Sequence, residues 1–206
     1  MTGIIAHRGF NGLYPENTRR AFEEALKLDI AGIECDVNLT ADGQVVVIHD
    51  LTVDRTSDGS GEVAQMPLDE LRQLNIGTEE DPQQIMLLDE LLTLLDQYPG
   101  KHILIETKHP SPFGAALEEA VADVLRANGM EADERVHLIS FNPEAIQRFH
   151  RLLPELETFL LADDSFAPVG DCGAGPSVRL AKAQPELLDG RFRTYVWTVN
   201  LSLIHI

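Results

Sequence analysis

Short runs of apolar residues alternate along this chain with longer stretches in which apolar residues recur at helical spacing. Helices are predicted at residues 18–28, 68–74, 87–98, 113–127 and 143–153, and Asn17 is expected to cap the first of them. Strands are predicted at residues 3–7, 32–37, 44–49, 102–108, 136–141, 158–162 and 193–199. This alternation is typical of repeated βα units, so the chain is predicted to be an α/β protein.

The number and order of the predicted strands favour a closed barrel over an open sheet. No GxGxxG turn follows any strand, which argues against a dinucleotide-binding fold. The expected architecture is a TIM-type (β/α)₈ barrel, a fold that typically takes about 250 residues. Only six residues follow Asn200. The eighth strand and its helix are therefore expected to be missing from this chain.

The two ends of the sequence carry further expectations. Residues 201–206, LSLIHI, resemble the translation of a transposon adapter used in DNA library preparation, and the barrel pattern stops at the same point. We expect them to be a non-native tail, with a natural apolar tail as the alternative. The start of the chain has no basic region followed by an apolar stretch, so no secretory signal is expected. The sequence also lacks an apolar run of about 18 residues, so no integral membrane segment is expected. A cytoplasmic protein is the resulting prediction.

The charge balance limits the classes of partner. The chain has 34 acidic and 16 basic residues, for a formal net charge of −18. Such a surface repels phosphate backbones, which proteins bind through lysine and arginine, so nucleic acid is not an expected partner. A small anionic substrate would need local neutralisation by a metal ion or by well-placed basic side chains. The sequence does not predict an oligomeric state.

Ionisable residues stand at the carboxyl ends of four consecutive predicted strands. In parallel barrels the active site lies at this end of the strands. We therefore expect these side chains to converge on one rim of the barrel. They are His7 and Arg8, Glu34 and Asp36, His49 and Asp50, and Glu106 and Lys108.

The carboxylates at this rim indicate a metal site. Glu34 and Asp36 are two residues apart on a strand, so they point to the same face. Together with Glu106 they would repel one another unless protonation or a cation relieves the charge. A site made of oxygen ligands favours Mg²⁺ or Ca²⁺ over zinc. The alternative is three solvated carboxylates without a metal.

The histidines and basic residues of the rim suggest acid–base chemistry on a phosphate ester. His7 and His49 can each give or take a proton near neutral pH, although each could instead satisfy backbone groups at a strand end. Arg8 and Lys108 could hold a phosphoryl group or pair with the neighbouring carboxylates. Trp197 could form a wall of the substrate pocket or pack in the core.

Three other histidines carry weaker expectations. His102 opens its strand at the opposite rim, where a surface position is expected. His137 and His150 are expected to lie in strand and helix contexts without partners.

Several short motifs resemble those of the glycerophosphodiester phosphodiesterase family, in the family's order and over nearly the whole chain. The resemblance places residues 1–200 in one such domain. Any single motif is weak evidence, but their combination in this order is specific. The motifs are Ala6-His7-Arg8-Gly9, Pro15-Glu16-Asn17-Thr18, Glu34-Cys35-Asp36-Val37, His49-Asp50 followed by Asp54-Arg55-Thr56 and Gly59-Ser60-Gly61, Ile105-Glu106-Thr107-Lys108, and Tyr195-Val196-Trp197-Thr198-Val199-Asn200.

The resemblance implies hydrolysis of a small-molecule glycerophosphodiester to glycerol 3-phosphate and an alcohol. It also implies a role for each motif residue. These roles are a divalent metal, Mg²⁺ or Ca²⁺, on Glu34, Asp36 and Glu106, an acid–base pair of His7 and His49, phosphate contacts from Arg8 and Lys108, and substrate contacts from Glu16 and Asn17 beside the first strand.

Two alternatives stay open. A lysophospholipase D-like barrel resembles this family in its fold and its histidine pair. The second alternative is a truncated barrel that binds phosphate esters without turning them over. It stays open because the final strand of the family, with its characteristic aspartate, is not found in this sequence.

Overall fold

The computed structural model describes residues 3–199, which form a curled sheet with helices packed around its outer face. The sheet has seven strands, and the order of its main path is β1-β2-β4-β5-β6-β7, with every neighbouring pair on this path parallel. The strands are β1 (Ile5–His7), β2 (Gly32–Leu39), β3 (Val45–Val47), β4 (His102–Thr107), β5 (Val136–Ser140), β6 (Glu157–Ala162) and β7 (Gly173–Pro176). The predicted fold class, a TIM-type barrel that is incomplete, is confirmed. The predicted tail at residues 201–206 lies outside the described residues.

Five helices occupy the positions that the sequence predicts. A sixth, α6, is not predicted from the sequence. The helices are α1 (Arg19–Leu26), α2 (Leu68–Leu71), α3 (Leu88–Leu95), α4 (Ala116–Ala127), α5 (Pro143–Leu152) and α6 (Val178–Ala183). None of the helices within residues 3–199 has the length and apolar character needed to cross a membrane.

The predicted cap of α1 is wrong by one residue. Thr18 is the N-cap, and its hydroxyl accepts a hydrogen bond from the backbone N–H of Ala21 at 3.1 Å. Asn17 instead has a backbone φ of +57° and lies in the left-handed region. Its side chain therefore points away from the helix and donates a hydrogen bond to Asp36 at 3.0 Å.

The prediction that every strand belongs to the parallel barrel is wrong for β3. This strand pairs antiparallel with β2 and forms a hairpin, with Val47 opposite Val37. Both strands of such a hairpin are apolar and bounded by turn residues, so composition does not distinguish it from a βα unit. The sixth and seventh parallel positions of the barrel are instead taken by β7 and by the extended segment 193–199.

β7 is not predicted from the sequence because it contains only Gly-Ala-Gly-Pro. Its glycines are required by packing: a Cβ at Gly173 would lie 2.5 Å from the Phe159 ring, and one at Gly175 would lie 2.6 Å from Leu161. The predicted strand 193–199 then runs parallel to β7 through isolated bridges, Ala174 to Thr194 and Ser177 to Trp197. It thus follows β7 in the order of the barrel.

Two apolar layers surround the strands because their side chains alternate between the faces of the sheet. On β2, Ile33, Cys35 and Val37 face outward and pack under α1, α3 and α4 in the main core. A smaller cluster of apolar side chains fills the interior of the barrel. This inner layer contains Leu104, Ile139, Phe159 and Leu161, with Ile5, Tyr195 and Trp197 packed against it. The positions between the outward residues of β2 therefore point into the barrel.

The segment between β3 and α3 has an apolar core of its own. Val53, Val63, Leu71, Ile76 and Ile85 are buried together there, against Val46 and Ile48. A three-residue 3₁₀-helix, Val63–Gln65, and α2 lie within this segment. Because the segment is packed rather than loose, it can hold side chains in fixed positions beside the carboxyl end of the barrel.

The amino end of the barrel carries a cluster of ionisable residues, which corrects the expectation that these histidines have no partners. The rings of His102 and His137 are stacked, and His102 Nδ1 lies 2.9 Å from His137 Nε2. Glu157 Oε2 lies 3.3 Å from His137 Nδ1, and Arg193 pairs with Glu157. On α5, His150 Nε2 lies 2.7 Å from the hydroxyl of Thr158.

We expect His137 to make the folded chain less stable as the pH is lowered below about 6.5, the ordinary pKa of histidine. Burial, followed by the charges of His102 and Arg193, lowers the pKa of His137 despite the opposing effect of Glu157. The unfolded chain therefore binds more protons in this range, and acid favours it. Urea unfolding of the parent and of His137→Gln at pH 7.5 and 5.5 tests this. The loss of unfolding free energy between the two pH values should be smaller in the variant, and an equal loss would contradict the prediction.

Candidate active site

Three buried carboxylates from two neighbouring strands meet at the carboxyl end of the barrel. Glu34 and Asp36 point inward from β2, and Glu106 points inward from β4, where it pairs in register with Asp36. Their relative exposures are 1%, 0% and 7%. One oxygen from each lies within 4.8 Å of the others. The period of two along each strand thus produces the cluster that the sequence predicts.

The chemistry of this cluster fits a divalent cation. Glu34 Oε1 and Asp36 Oδ1 are buried and have no hydrogen-bond partner among residues 3–199. Lys108 Nζ is 2.6 Å from Glu106 Oε1 and 3.3 Å from Asp36 Oδ1, so this single ammonium group faces the cluster from one side. Buried carboxylate oxygens of this kind are costly unless they are paired or coordinate a metal. The three acids are therefore suited to hold a hard cation such as Mg²⁺ or Ca²⁺.

The same crowding perturbs the ionisation of the acids. Burial, together with the neighbouring charge of Asp36, raises the pKa of Glu106 to about 7. For the same two reasons the pKa of Glu34 lies well above its usual range. Burial alone would lower the pKa of Lys108, but the carboxylates of Glu106 and Asp36 outweigh it and raise that pKa. When all three acids are ionised, they carry one more charge than the two cations that contact them, Arg8 and Lys108.

A left-handed turn after β1 places His7 and Arg8 beside this cluster. Arg8 has a φ of +57° and Gly9 a φ of +77°. A side chain at residue 9 would lie 2.8 Å from the backbone of Ala21, so glycine is required there. The turn directs the backbone N–H of Arg8 to Glu34 Oε2 at 3.0 Å.

His7 itself lies next to Glu34 in the register between β1 and β2. Its Nε2 is 3.9 Å from Glu34 Oε2. Burial and the charge of Arg8 lower the pKa of His7 to about 4. In this environment the neutral imidazole is favoured, which leaves it able to accept a proton.

His49 reaches the same site from the hairpin of β2 and β3. The turn after β3 is held by Asn38, whose amide donates to the carbonyl of Ile48 at 2.9 Å. His49 Nδ1 lies 2.6 Å from Asp50 Oδ1. Arg55 donates to Asp50 through Nε at 2.7 Å. His49 is therefore held through Asp50, which is held in turn by Arg55.

The predicted phosphate-binding residues are engaged with carboxylates. Arg8 lies 2.9 Å from Glu16 and 3.1 Å from Asp36, which is the pairing that the sequence leaves open as an alternative. Glu16 is also held by Arg55, at 2.8 and 2.9 Å. Burial would raise the pKa of Glu16, but Arg55 and Arg8 outweigh it and lower that pKa.

A cavity of ≈ 220 Å³ brings most of the predicted site residues together. One side is polar and consists of residues from β1, β2, β3 and β4. The other side is apolar. The lining comprises His7, Arg8, Glu34, His49, Glu106 and Lys108, with Ile139, Phe141, Leu161, Tyr195, Trp197 and Thr198 opposite.

Trp197 belongs both to the wall of this cavity and to the inner layer of the barrel. Its indole N–H donates to the carbonyl of Gly175 at 2.7 Å, and its ring stands edge-on to Phe141 at 5.1 Å between centroids. Both roles that the sequence leaves open for this tryptophan are thus compatible with its position.

Three predicted residues, Asp36, Glu16 and Asn17, do not belong to the lining of this cavity. Asn17 donates to the buried Asp36, and Glu16 links Arg8 to Arg55. The roles of the other predicted residues in substrate and metal binding stay predictions, although their side chains converge.

Sequence reasoning did not assign two residues at this site, Asn38 and Tyr195, and did not anticipate the contact between Asp50 and Arg55. Asn38 follows Asp36 by two positions on β2, so the alternation of the strand could have identified it. Tyr195 precedes Trp197 by two positions and could have been found in the same way. Asp50 and Arg55 stand in quoted motifs, but no periodic signal in the sequence predicts their contact with each other.

Comparison with known proteins finds one consistent family. The model of the "Glycerophosphoryl diester phosphodiesterase family" matches residues 7–203. A glycerophosphodiester phosphodiesterase of Bacillus altitudinis is 38% identical over 168 residues, which span 80% of this chain and 68% of that protein.

Solved structures agree with this match. A phosphodiesterase of Oleispira antarctica, in complex with the product sn-glycerol-3-phosphate, aligns with a TM-score of 0.87 and 27% identity over 97% of this chain and 85% of its own. The glycerophosphodiester phosphodiesterase of Agrobacterium tumefaciens aligns with a TM-score of 0.79 and 28% identity over 100% of this chain and 90% of its own.

Proposed function

This chain belongs to the glycerophosphoryl diester phosphodiesterase family, and we propose on that premise that it hydrolyses glycerophosphodiesters to glycerol 3-phosphate and an alcohol. The observation that carries the proposal is the cavity in which two histidines lie beside Glu34 and Glu106, two members of the buried acid cluster. The substrate is a small molecule. A cytoplasmic location and a domain that extends to residue 200 stay predictions from the sequence.

The acids would hold the cofactor of the reaction, which we propose to be Mg²⁺ or Ca²⁺. Glu34, Asp36 and Glu106 are its ligands in this proposal, supported by the closeness of their oxygens and by the buried Glu34 Oε1, which has no hydrogen-bond partner among residues 3–199. When bound, the cation acts as a Lewis acid that polarises the phosphoryl oxygens and offsets the charge of the diester. Arg8 and Lys108, which contact the acids, would bind the phosphate in this proposal through charge-assisted hydrogen bonds.

The two histidines would carry the proton transfers. One imidazole removes a proton from the attacking hydroxyl, of water or of the glycerol moiety, and the other gives a proton to the departing alkoxide. His7 and His49 line the same cavity, which supports this pairing. The apolar wall of Phe141, Leu161 and Trp197 would pack against the carbon atoms of the substrate and exclude water from that side.

Release of glycerol 3-phosphate from glycerophosphocholine tests the proposal. We expect turnover with Mg²⁺ or Ca²⁺, complete loss after treatment with EDTA, and recovery when either ion is added in excess. Metal titration in the presence and absence of substrate distinguishes catalysis from binding alone. Turnover that is insensitive to EDTA would contradict the metal site. Binding of metal and substrate without product would instead support an inactive phosphate-ester-binding barrel.

A lysophospholipase D-like activity is the second candidate, and one observation favours it. In the loop after β1, Leu13 is 71% exposed next to Phe10 and Tyr14, which form an aromatic pair. An apolar rim of this kind suits an acyl chain. Parallel assays with glycerophosphocholine and lysophosphatidylcholine separate the two substrates.

A further inference from the structure

The two histidines of the cavity differ in what holds them. His49 Nδ1 lies 2.6 Å from a carboxylate oxygen of Asp50, which is a hydrogen-bonding distance. The nearest carboxylate to a ring nitrogen of His7 is 3.9 Å away, and it belongs to the acid cluster. Of these two histidines, only His49 therefore has a carboxylate partner outside the acid cluster, among the residues that the structure describes.

Asp50 is itself held by a bidentate hydrogen-bonded contact with Arg55. The guanidinium donates through Nε to Asp50 Oδ2 at 2.7 Å and through Nη2 to Oδ1 at 3.1 Å. The hydrogen bonds from Arg55, together with that from His49, hold the pKa of Asp50 well below its usual range. Asp50 is therefore an ionised acceptor throughout the neutral range.

Arg55 also reaches across the site to the loop that follows β1. Its two terminal nitrogens donate to the oxygens of Glu16 at 2.9 and 2.8 Å. Glu16 in turn accepts from Arg8 at 2.9 Å. A planar guanidinium can hold two carboxylates at once in fixed geometry, which a lysine cannot do. Arg55 thereby joins the segment after β3, through Glu16 and Arg8, to the turn that directly follows His7.

We propose that Asp50 is a positioning residue for His49, and that Arg55 positions Asp50 by holding it against Glu16. This inference rests on the proposed function, because it assigns the support of one of the two proton-transferring groups. With Nδ1–H donated to Asp50, the neutral imidazole of His49 carries its proton on Nδ1. Its Nε2 is then free to exchange a proton with the substrate.

Asp50→Asn is the first test. The amide keeps the size of the side chain but can donate a hydrogen bond to Nδ1, which favours the Nε2–H form of His49. We expect kcat for release of glycerol 3-phosphate to fall roughly 10- to 100-fold with little change in KM, because orientation is lost while substrate binding is kept. A ¹⁵N–¹H correlation spectrum of the histidine rings, assigned with His49→Gln, should show Nδ1–H in the parent and Nε2–H in Asp50→Asn.

Arg55→Lys is the second test, with Arg72→Lys as its matched control. Arg72 lies in the same segment and pairs with one acid, Glu90, at 2.7 Å. We expect Arg55→Lys to lower kcat roughly tenfold and to mix the two ring forms of His49. Arg72→Lys should leave both readouts unchanged.

The spectrum separates failure of this inference from failure of the proposed function. If the parent releases no glycerol 3-phosphate, the proposed function fails, and the ring form of His49 alone decides whether Asp50 positions it. An unchanged ring form in Asp50→Asn overturns the inference. So does a near-parental kcat in an active, folded Asp50→Asn variant.

Discussion

Replacing Asp36 by asparagine is expected to lower the turnover number for glycerol 3-phosphate release by about 10³-fold or more and to weaken divalent-cation binding. Asp36 is fully buried between Glu34 and Glu106, and one of its oxygens has no hydrogen-bond partner among the described residues. The substitution keeps the shape of the side chain and can keep the hydrogen bond from Asn17. It removes one of three negative charges, and a metal ion contributes several kcal/mol to stabilising charge in a phosphoryl transition state.

Calorimetric titration with Mg²⁺ and Ca²⁺ should accompany the activity assay of this variant. Asp133→Asn is a suitable control, because Asp133 pairs with Arg135 away from the cavity. The control is expected to bind metal and turn over substrate like the parent. Metal affinity that is equal in Asp36→Asn and the parent would remove Asp36 from the ligand set.

Alanine at either His7 or His49 is expected to reduce turnover by about 10²–10⁴-fold, the usual contribution of a general acid or base. Both rings line the cavity beside the acids, so each substitution removes a proton-transferring group while the three carboxylates stay in place. Metal affinity should therefore change much less than in Asp36→Asn. This difference distinguishes a loss of proton transfer from a loss of the cation.

Steady-state kinetics of the two alanine variants and of His150→Ala provide the comparison. His150 lies on α5 and contacts Thr158, outside the lining of the cavity, so its loss should leave turnover near that of the parent. Near-parental turnover in His7→Ala or His49→Ala would exclude that histidine from acid–base catalysis. Recovery of activity on addition of free imidazole would support its role directly.

The sequence predicts the fold class well because βα units leave a strong local signal. Runs such as 102–108 and 136–141 are apolar, short and separated by amphipathic helices, and their parallel pairing follows from the length of the connections. The same criteria fail for β3 and β7. β3 is apolar but returns through a tight hairpin, and β7 is made of small residues whose place is set by the bulk of Phe159 and Leu161 on its neighbour. Such packing is not encoded locally.

The site shows a similar division. Glu34, Asp36 and Glu106 follow from the alternation of side chains along strands, which is nearly invariant. The contacts of Arg55 depend on how a long packed segment folds back over the barrel. The periodicity of the sequence does not predict that arrangement. The engagement of Arg8 by Glu16 and Asp36 also could not be predicted, because arginine can pair equally well with a phosphate or a carboxylate.

The apolar layer inside the barrel has a consequence for substrate entry and product release. Leu104, Ile139, Phe159 and Leu161 form an apolar layer inside the barrel, and the histidine pair of His102 and His137 lies at the amino end. If the diester enters at the carboxyl end of the barrel, both products would leave through the same opening. Under the proposed function, glycerol 3-phosphate would still bind the charged residues of the cavity through its phosphate. As it accumulates, it would compete with the next diester molecule for the site. We therefore expect product inhibition that is competitive with the diester.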